Sequence, residues 1–213
     1  VEAAQAVRNR RHKIAAEVRS SSAALKGRTS RPLEILSVAC GPAWELRDLF
    51  QQPEDATRYS LTLLDQDAQA LSEARSAVEG AARAIDAEIH ARYLCESVKT
   101  KRTDAELAEA WGRFDFIYSM GLFDYLTEKT AKSLLSTLYG QLQPGGRMII
   151  GNYHTACVTR LYLDYWMDWP LVYRTESQLL ALAGGLPSAR TNISFETTRS
   201  QMYLEISKPG EAA

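Results

Sequence analysis

From Leu33 onward, short continuous apolar runs alternate with stretches whose apolar residues recur every third or fourth position. The first kind predicts buried strands and the second amphipathic helices. Strands are expected at 33–39 (LEILSVA), 59–67 (YSLTLLDQD), 88–97 (EIHARYLCES), 114–120 (FDFIYSM) and 147–153 (RMIIGNY). Between them fall a helix carrying Leu46, Leu49 and Phe50 and a helix carrying Leu71, Ala74, Ala77 and Val78. A short helix capped by Thr103 or Asp104 follows, then a strong helix over 130–142 stopped by Gln-Pro-Gly-Gly. Strands and helices alternating at this pitch predict a parallel sheet covered on both faces.

The two ends depart from that pattern. Residues 1–26 read as one helix with Val7, Ile14 and Val18 on its apolar face. Arg8, Arg10, Arg11 and Lys13 are assigned mostly to a solvated opposite face, and Ser20 to Pro32 to a linker in which the helix frays. Past Tyr153, the stretch LYLDYWMDWPLVYR is densely aromatic. A helix, TESQLLALAGG, then ends at a glycine pair suited to a cap, and TNISFETT and QMYLEISK follow at the spacing of an antiparallel hairpin. The expected organisation is a helical extension or lid over 1–32 and an open α/β domain over 33–213, with its ligand crevice at the carboxyl ends of the strands.

Composition narrows the partners. With 25 basic and 26 acidic residues the formal net charge is -1, which gives no electrostatic reason to expect nucleic acid. No apolar run approaches the length of a membrane span, so stable membrane insertion is not expected. Cys40, Cys95 and Cys157 are odd in number and far apart, which argues for a reducing, cytoplasmic compartment. They share no metal-ligand spacing with His12, His90 and His154, so no metal is expected. The chain opens on Val1 rather than Met, which leaves room for a further domain upstream.

The first candidate chemistry is the turn in LSVACGPAWEL. A strand that stops at small residues and restarts as a helix brings backbone N–H groups against a ligand. The turn has neither the phosphate-loop pattern nor GxGxxG, so nothing is arranged for phosphates. Asp65 ends the next strand, 24 residues after Gly41, where a carboxylate accepts from both ribose hydroxyls. The site reads as a nucleoside site.

ILSVACGPAWEL, LTLLDQD, FDFIYSMGLFDYL and LQPGGRMIIGNY, in that order, resemble the class I S-adenosylmethionine-dependent methyltransferases over most of 33–207. The resemblance implies a Rossmann-like sheet of five parallel strands closed by an antiparallel hairpin, with S-adenosylmethionine as cofactor and S-adenosylhomocysteine as product. YSMGLFDYL, NYH and DWPLVYR resemble a narrower bacterial group, the methyltransferases of 3-hydroxypalmitic acid methyl ester synthesis, which make a fatty-acyl signal ester of the quorum-sensing kind. That implies a small-molecule or acyl acid as methyl acceptor. Ser37 stands where the class usually has an acid that helps bind the methionine ammonium, and Ala39 and Ala43 where it has glycines. Alanine fits those positions if φ is negative there, and the ammonium then falls to backbone carbonyls near Ala39 or to Glu45.

The expected cofactor residues are Ala39, Cys40, Gly41 and Pro42 in the turn, Asp65 and Gln66 at the ribose, Ser97 and Val98 at the adenine, and Ser119, Met120 and Gly121 along the methionine chain. Cys40 reads as a small packing residue. Tyr118 is assigned to the substrate side, with Tyr153, Trp169, Tyr173 and Arg174. Arg174 either forks onto a substrate carboxylate or pairs with Asp164 or Asp168. Tyr165, Trp166, Trp169 and Tyr173 either wall an acyl pocket or form core under a loop. Tyr125, Asn152 and His154 are the candidate positioning residues at the reacting centre, and Asp124 reads as a helix cap. A carboxylate acceptor needs no general base, whereas a hydroxyl would, and His154 is the histidine placed to serve. Two other readings share these residues: methylation of another small molecule at O, N or C, and a nucleoside-binding module without chemistry. A nucleic-acid methyltransferase is disfavoured because YSMGLF replaces the N/D-P-P-Y/F motif.

Overall fold

The computed structural model describes residues 2–27, 29–99 and 102–210. Its elements follow the expected alternation: α1 (Glu2–Lys26), β1 (Leu33–Val38), α2 (Leu46–Leu49), α3 (Asp55–Arg58), β2 (Tyr59–Asp65), α4 (Ala68–Ile85) and β3 (Ala91–Cys95). Then come α5 (Asp104–Ala110), β4 (Phe114–Ser119), α6 (Glu128–Gly140), β5 (Leu142–Tyr153), α7 (Glu176–Leu182), β6 (Arg190–Phe195) and β7 (Gln201–Ser207). The sheet order is β3-β2-β1-β4-β5-β7-β6, with β1 to β5 parallel and β7 antiparallel between β5 and β6. This is the sheet that the resemblance implies, five parallel strands closed by an antiparallel hairpin. The chain reverses its direction of winding between β1 and β4, and the crevice opens there.

Side-chain alternation explains why β1 and β4 read as continuous apolar runs. Leu36 and Val38 of β1, with Ile117 of β4, face a core built with α5, α6 and α7. Ile35 of β1 and Phe116 of β4 face a second core with Ile14 and Val18 of α1 and Leu71, Ala74 and Val78 of α4. Both faces are covered, and side chains of either parity are apolar.

The capping chemistry is local and specific. Asp67 caps α4 by accepting from Gln69 N–H at 2.8 Å. Thr103 caps α5 in a capping box with Glu106. Several boundaries differ from the sequence reading. The 20–32 segment is helical through Lys26 rather than a linker, because Ser21 and Leu25 still pack on the domain. Of the basic residues of α1 assigned to a solvated face, Arg8 is exposed, but Arg11 pairs with Asp48 at 2.9 Å and Arg10 turns inward. Lys13 pairs with Glu205 on β7 at 2.9 Å. The helix after β1 is only the four residues of α2. β5 begins at Leu142 and takes in the Gln-Pro-Gly-Gly segment, with a register shift against β4 between Phe114 and Phe116. β3 is shorter than expected, and α7 ends before its glycine pair. Asp124 caps no helix; Thr127 caps α6 instead.

Candidate active site

The turn after β1 alternates its backbone handedness. Ala39, Gly41 and Ala43 have φ of 51°, 53° and 50°. The condition that the alanines keep negative φ is therefore not met. Each carries a left-handed conformation that costs an alanine roughly 1–2 kcal/mol. Neighbouring hydrogen bonds hold the turn. Asp65 Oδ2 accepts from Gly41 N–H at 2.9 Å, and Oδ1 accepts from Asp67 N–H at 3.0 Å. Cys40 N–H donates to Leu64 O at 3.1 Å. Burial and the Asp65 charge push the Cys40 thiol up to about 12, so it stays neutral and packs.

Two cavities open above this turn and share Ala39 as a wall. The larger, about 410 Å³, is lined by Cys40, Gly41, Pro42, Tyr118, Met120 and Gly121 of the expected set. Arg8, Arg10, Arg11, Ser37 and Glu45 add to its polar lining. The smaller, about 220 Å³, is lined by Asp65, Gln66, Ser97, Val98 and Tyr125, with Glu96, Lys99, Leu122 and Leu126. Tyr118 thus belongs to the larger cavity rather than to a separate substrate wall. Ser119 lines neither: it is fully buried, and its hydroxyl donates to Val38 O at 3.0 Å, tying β4 to β1.

The larger cavity is electrostatically unusual. Tyr118 OH donates to Glu45 Oε1 at 2.6 Å. Burial raises the Glu45 carboxyl, and Tyr118 and nearby Arg10 only partly offset that. Burial and the Glu45 charge raise the Tyr118 phenol in turn. Arg10 reaches across from α1, and its Nη1 donates to Met120 O at 2.7 Å.

The residues expected on the rim of β5 divide differently. Arg174 is buried, donating to Phe123 O at 2.8 Å, Leu126 O at 2.6 Å and Asn152 Oδ1. Its partners are these oxygens, neither a ligand-facing position nor Asp164 or Asp168. Asn152 is equally buried, and its Nδ2 donates to Tyr153 O and Val172 O at 3.0 Å each. Tyr153 is buried with its hydroxyl on Ala3 O of α1 at 3.2 Å, and its N–H donates to Asp124 Oδ1 at 2.7 Å. His154 Nε2 meets Glu176 at 3.1 Å, and its ring packs edge-on to Phe195. None of these four lines either cavity. They lock the β5 end to the 120s and 170s loops.

Tyr125 is different. It is 52% exposed, walls the smaller cavity, and its hydroxyl accepts from Trp169 Nε1 at 2.5 Å. Trp169 and Tyr173 pack beside Tyr153 and Leu163, with Tyr173 OH donating to Asp164 at 3.0 Å. Tyr165 and Trp166 are neither pocket wall nor core: they stand 80% and 83% exposed on a π-helical turn over Tyr162–Trp166. With Val158, Leu161 and Met167, also exposed, they form an apolar ridge.

A family model described as a methyltransferase domain matches residues 35–146, from β1 into β5. The chain belongs to that family. No curated protein matches its sequence. Among solved structures, the magnesium protoporphyrin IX methyltransferase of Synechocystis PCC 6803 with bound SAH is 14% identical, with a TM-score of 0.62. The match covers 91% of this chain and 82% of that one. The plantazolicin methyltransferase BpumL in complex with SAH is 14% identical over 93% of this chain and 84% of its own, with a TM-score of 0.65. An O-methyltransferase family protein of Burkholderia thailandensis is 10% identical over 92% of this chain and 56% of its own, with a TM-score of 0.66. At these identities the likeness is one of fold.

In this methyltransferase, sequence reasoning missed Arg10 and Arg11 on α1 and Glu96 and Lys99 beside β3. The arginines were legible: Val7, Arg10, Arg11 and Ile14 fall at i, i+3, i+4 and i+7 on one stripe, and all four line the larger cavity. Among the described residues no group of histidine, cysteine and carboxylate side chains could hold a metal. No helix among them is long and apolar enough to cross a membrane.

Proposed function

We propose that this chain is an S-adenosylmethionine-dependent methyltransferase that methylates the carboxylate of a small or fatty-acyl acid, giving a methyl ester. The observation that carries the reading is the pair of cavities meeting at Ala39 beside the Asp65–Gly41 hydrogen bond. The cofactor fits these residues. The smaller cavity offers a carboxylate, Asp65, beside a Ser97–Val98 wall for a nucleoside. The larger offers room beside Gly41, where a built Cβ would touch nothing within 4 Å, and both charge signs for an amino acid.

The cofactor, when bound, supplies the electrophilic methyl group and its leaving thioether. The chain supplies alignment and exclusion of water, and effective molarity carries much of the rate. Tyr125, at the outer wall of the smaller cavity and braced by Trp169, orients the acceptor. No histidine lines either cavity, and His154 is held by Glu176. A carboxylate acceptor, ionised at neutral pH, is the nucleophile that such a site serves without a general base. The exposed Tyr165–Trp166 ridge, joined to Tyr125 through the Trp169 loop, supports an amphiphilic acceptor.

The test incubates the protein with methyl-labelled cofactor and carboxylic acids of increasing chain length, with phenols and amines alongside. A base-labile methyl ester, formed fastest from longer acids, is expected. Label on a phenol or amine alone would move the acceptor elsewhere. Cofactor binding without turnover on any acceptor would favour a binding module.

A further inference from the structure

The larger cavity brings opposite charges from two unrelated segments to one space. Glu45 comes from the turn before α2, Arg10 from the inward stripe of α1. Glu45 Oε1 is taken by Tyr118 OH, while no ion pair reaches Oε2 among the described residues. Arg10 uses Nη1 on Met120 O and makes no ion pair with Glu45, although the two charges act on each other. Nη1 and Nη2 of Arg10 both lie 3.8 Å from where a Cβ on Gly121 would stand, so Arg10 is seated against the cavity's Met120–Gly121 wall. A half-buried carboxylate with no ion-pair partner among the described residues calls for a cation, and a guanidinium lining the same cavity calls for an anion.

We propose that Glu45 and Arg10 form a split clamp for the α-amino-acid end of the cofactor, Glu45 taking the ammonium and Arg10 the carboxylate. The clamp rests on the cofactor reading above. It gives Ser37 a physical explanation: an acid at the end of β1 would stand beside Tyr118 and place a second carboxylate against Glu45. The acid has moved from the strand to the head of the next helix, where Tyr118 orients it. The clamp also assigns α1 a role that packing alone does not. A helix outside the sheet contributes the carboxylate contact, so cofactor capture and closure of α1 over the cavity are one event.

The test is calorimetric titration of the full chain with four probes. They are S-adenosylhomocysteine, its analogue lacking the amino group, its analogue lacking the carboxylate, and methylthioadenosine, which lacks both. Glu45→Gln is expected to weaken S-adenosylhomocysteine about tenfold or more and leave methylthioadenosine unchanged. In that variant, loss of the amino group should cost nothing further. Arg10→Gln should do the same for the carboxylate. The clamp is overturned if Glu45→Gln weakens methylthioadenosine as much as S-adenosylhomocysteine, or leaves S-adenosylhomocysteine unchanged. Wild-type protein that binds none of the four probes would instead overturn the cofactor reading itself.

Discussion

The Asp65 carboxylate, at the end of β2, accepts the N–H of Gly41 across the sheet edge at 2.9 Å. Its other oxygen accepts from Asp67 N–H at 3.0 Å, so one side chain fixes both the left-handed turn and the entry to α4. The residue assigned to the nucleoside is also the brace of the turn beneath it. Asp65→Ala should therefore destabilise the fold by roughly 1–3 kcal/mol through two unmet backbone donors. It should also weaken cofactor about tenfold or more. Urea unfolding and calorimetry on the same variant check the two parts. Full stability with lost binding would separate the roles.

Ala39 and Ala43 hold φ of 51° and 50°, a region glycine occupies freely. Ala39→Gly should leave stability unchanged or raise it by up to about 1 kcal/mol, because relief of strain outweighs the added unfolded-state entropy. At a residue with negative φ the same change would cost roughly 0.4–1 kcal/mol. The sign of the change in urea unfolding thus reads the backbone conformation directly. Ala43 is buried, and its methyl packs in the α1–α4 core, so its glycine variant should gain less.

Asp124 is buried, and burial pushes its carboxyl up to about 7, against partial offsets from Tyr153 N–H, Arg10 and Arg174. Its ordinary value is 3.8, so between pH 4 and 7 the folded chain holds a proton that the unfolded chain has lost. Stability from this group is therefore undiminished below pH 4 and falls as pH rises toward 7. Asp124→Asn keeps an oxygen for Tyr153 N–H and should remove that slope. Urea unfolding of both proteins at pH 5 and pH 7.5 checks it: wild type should lose more stability than the variant over this interval.

Much of this was legible in the sequence because the signals were local. Leu36 to Val38 and Phe116 to Tyr118 announce buried strands by apolar continuity, and Asp67 and Thr103 announce their helices by capping chemistry. The parallel sheet followed from the alternation, but its strand order, with the switch between β1 and β4, did not. What stayed hidden depended on partners distant in sequence. Arg174 looked like a ligand fork, yet its guanidinium satisfies backbone oxygens 48 and 51 residues away. Asn152 and Tyr153 are polar at a strand end, and their side chains bond the 170s loop and α1 rather than line the crevice. The backbone handedness at Ala39 ran against residue preference, as strained turns at functional sites do.

Tyr165 and Trp166, at 80% and 83% exposure, cost little to remove. Tyr165→Ser with Trp166→Ser should change stability by no more than about 0.5 kcal/mol and leave S-adenosylhomocysteine affinity unchanged. If the ridge serves an amphiphilic acceptor, kcat/KM for long-chain acids should fall about tenfold while short acids react as before. An equal fall for both would assign the ridge to some other task.

The paired cavities over Ala39 are proposed to hold S-adenosylmethionine. The most direct test is calorimetric titration of the wild-type chain with S-adenosylmethionine and, separately, S-adenosylhomocysteine. Saturable one-to-one binding of both is expected. Folded protein that gives no binding to either would contradict it.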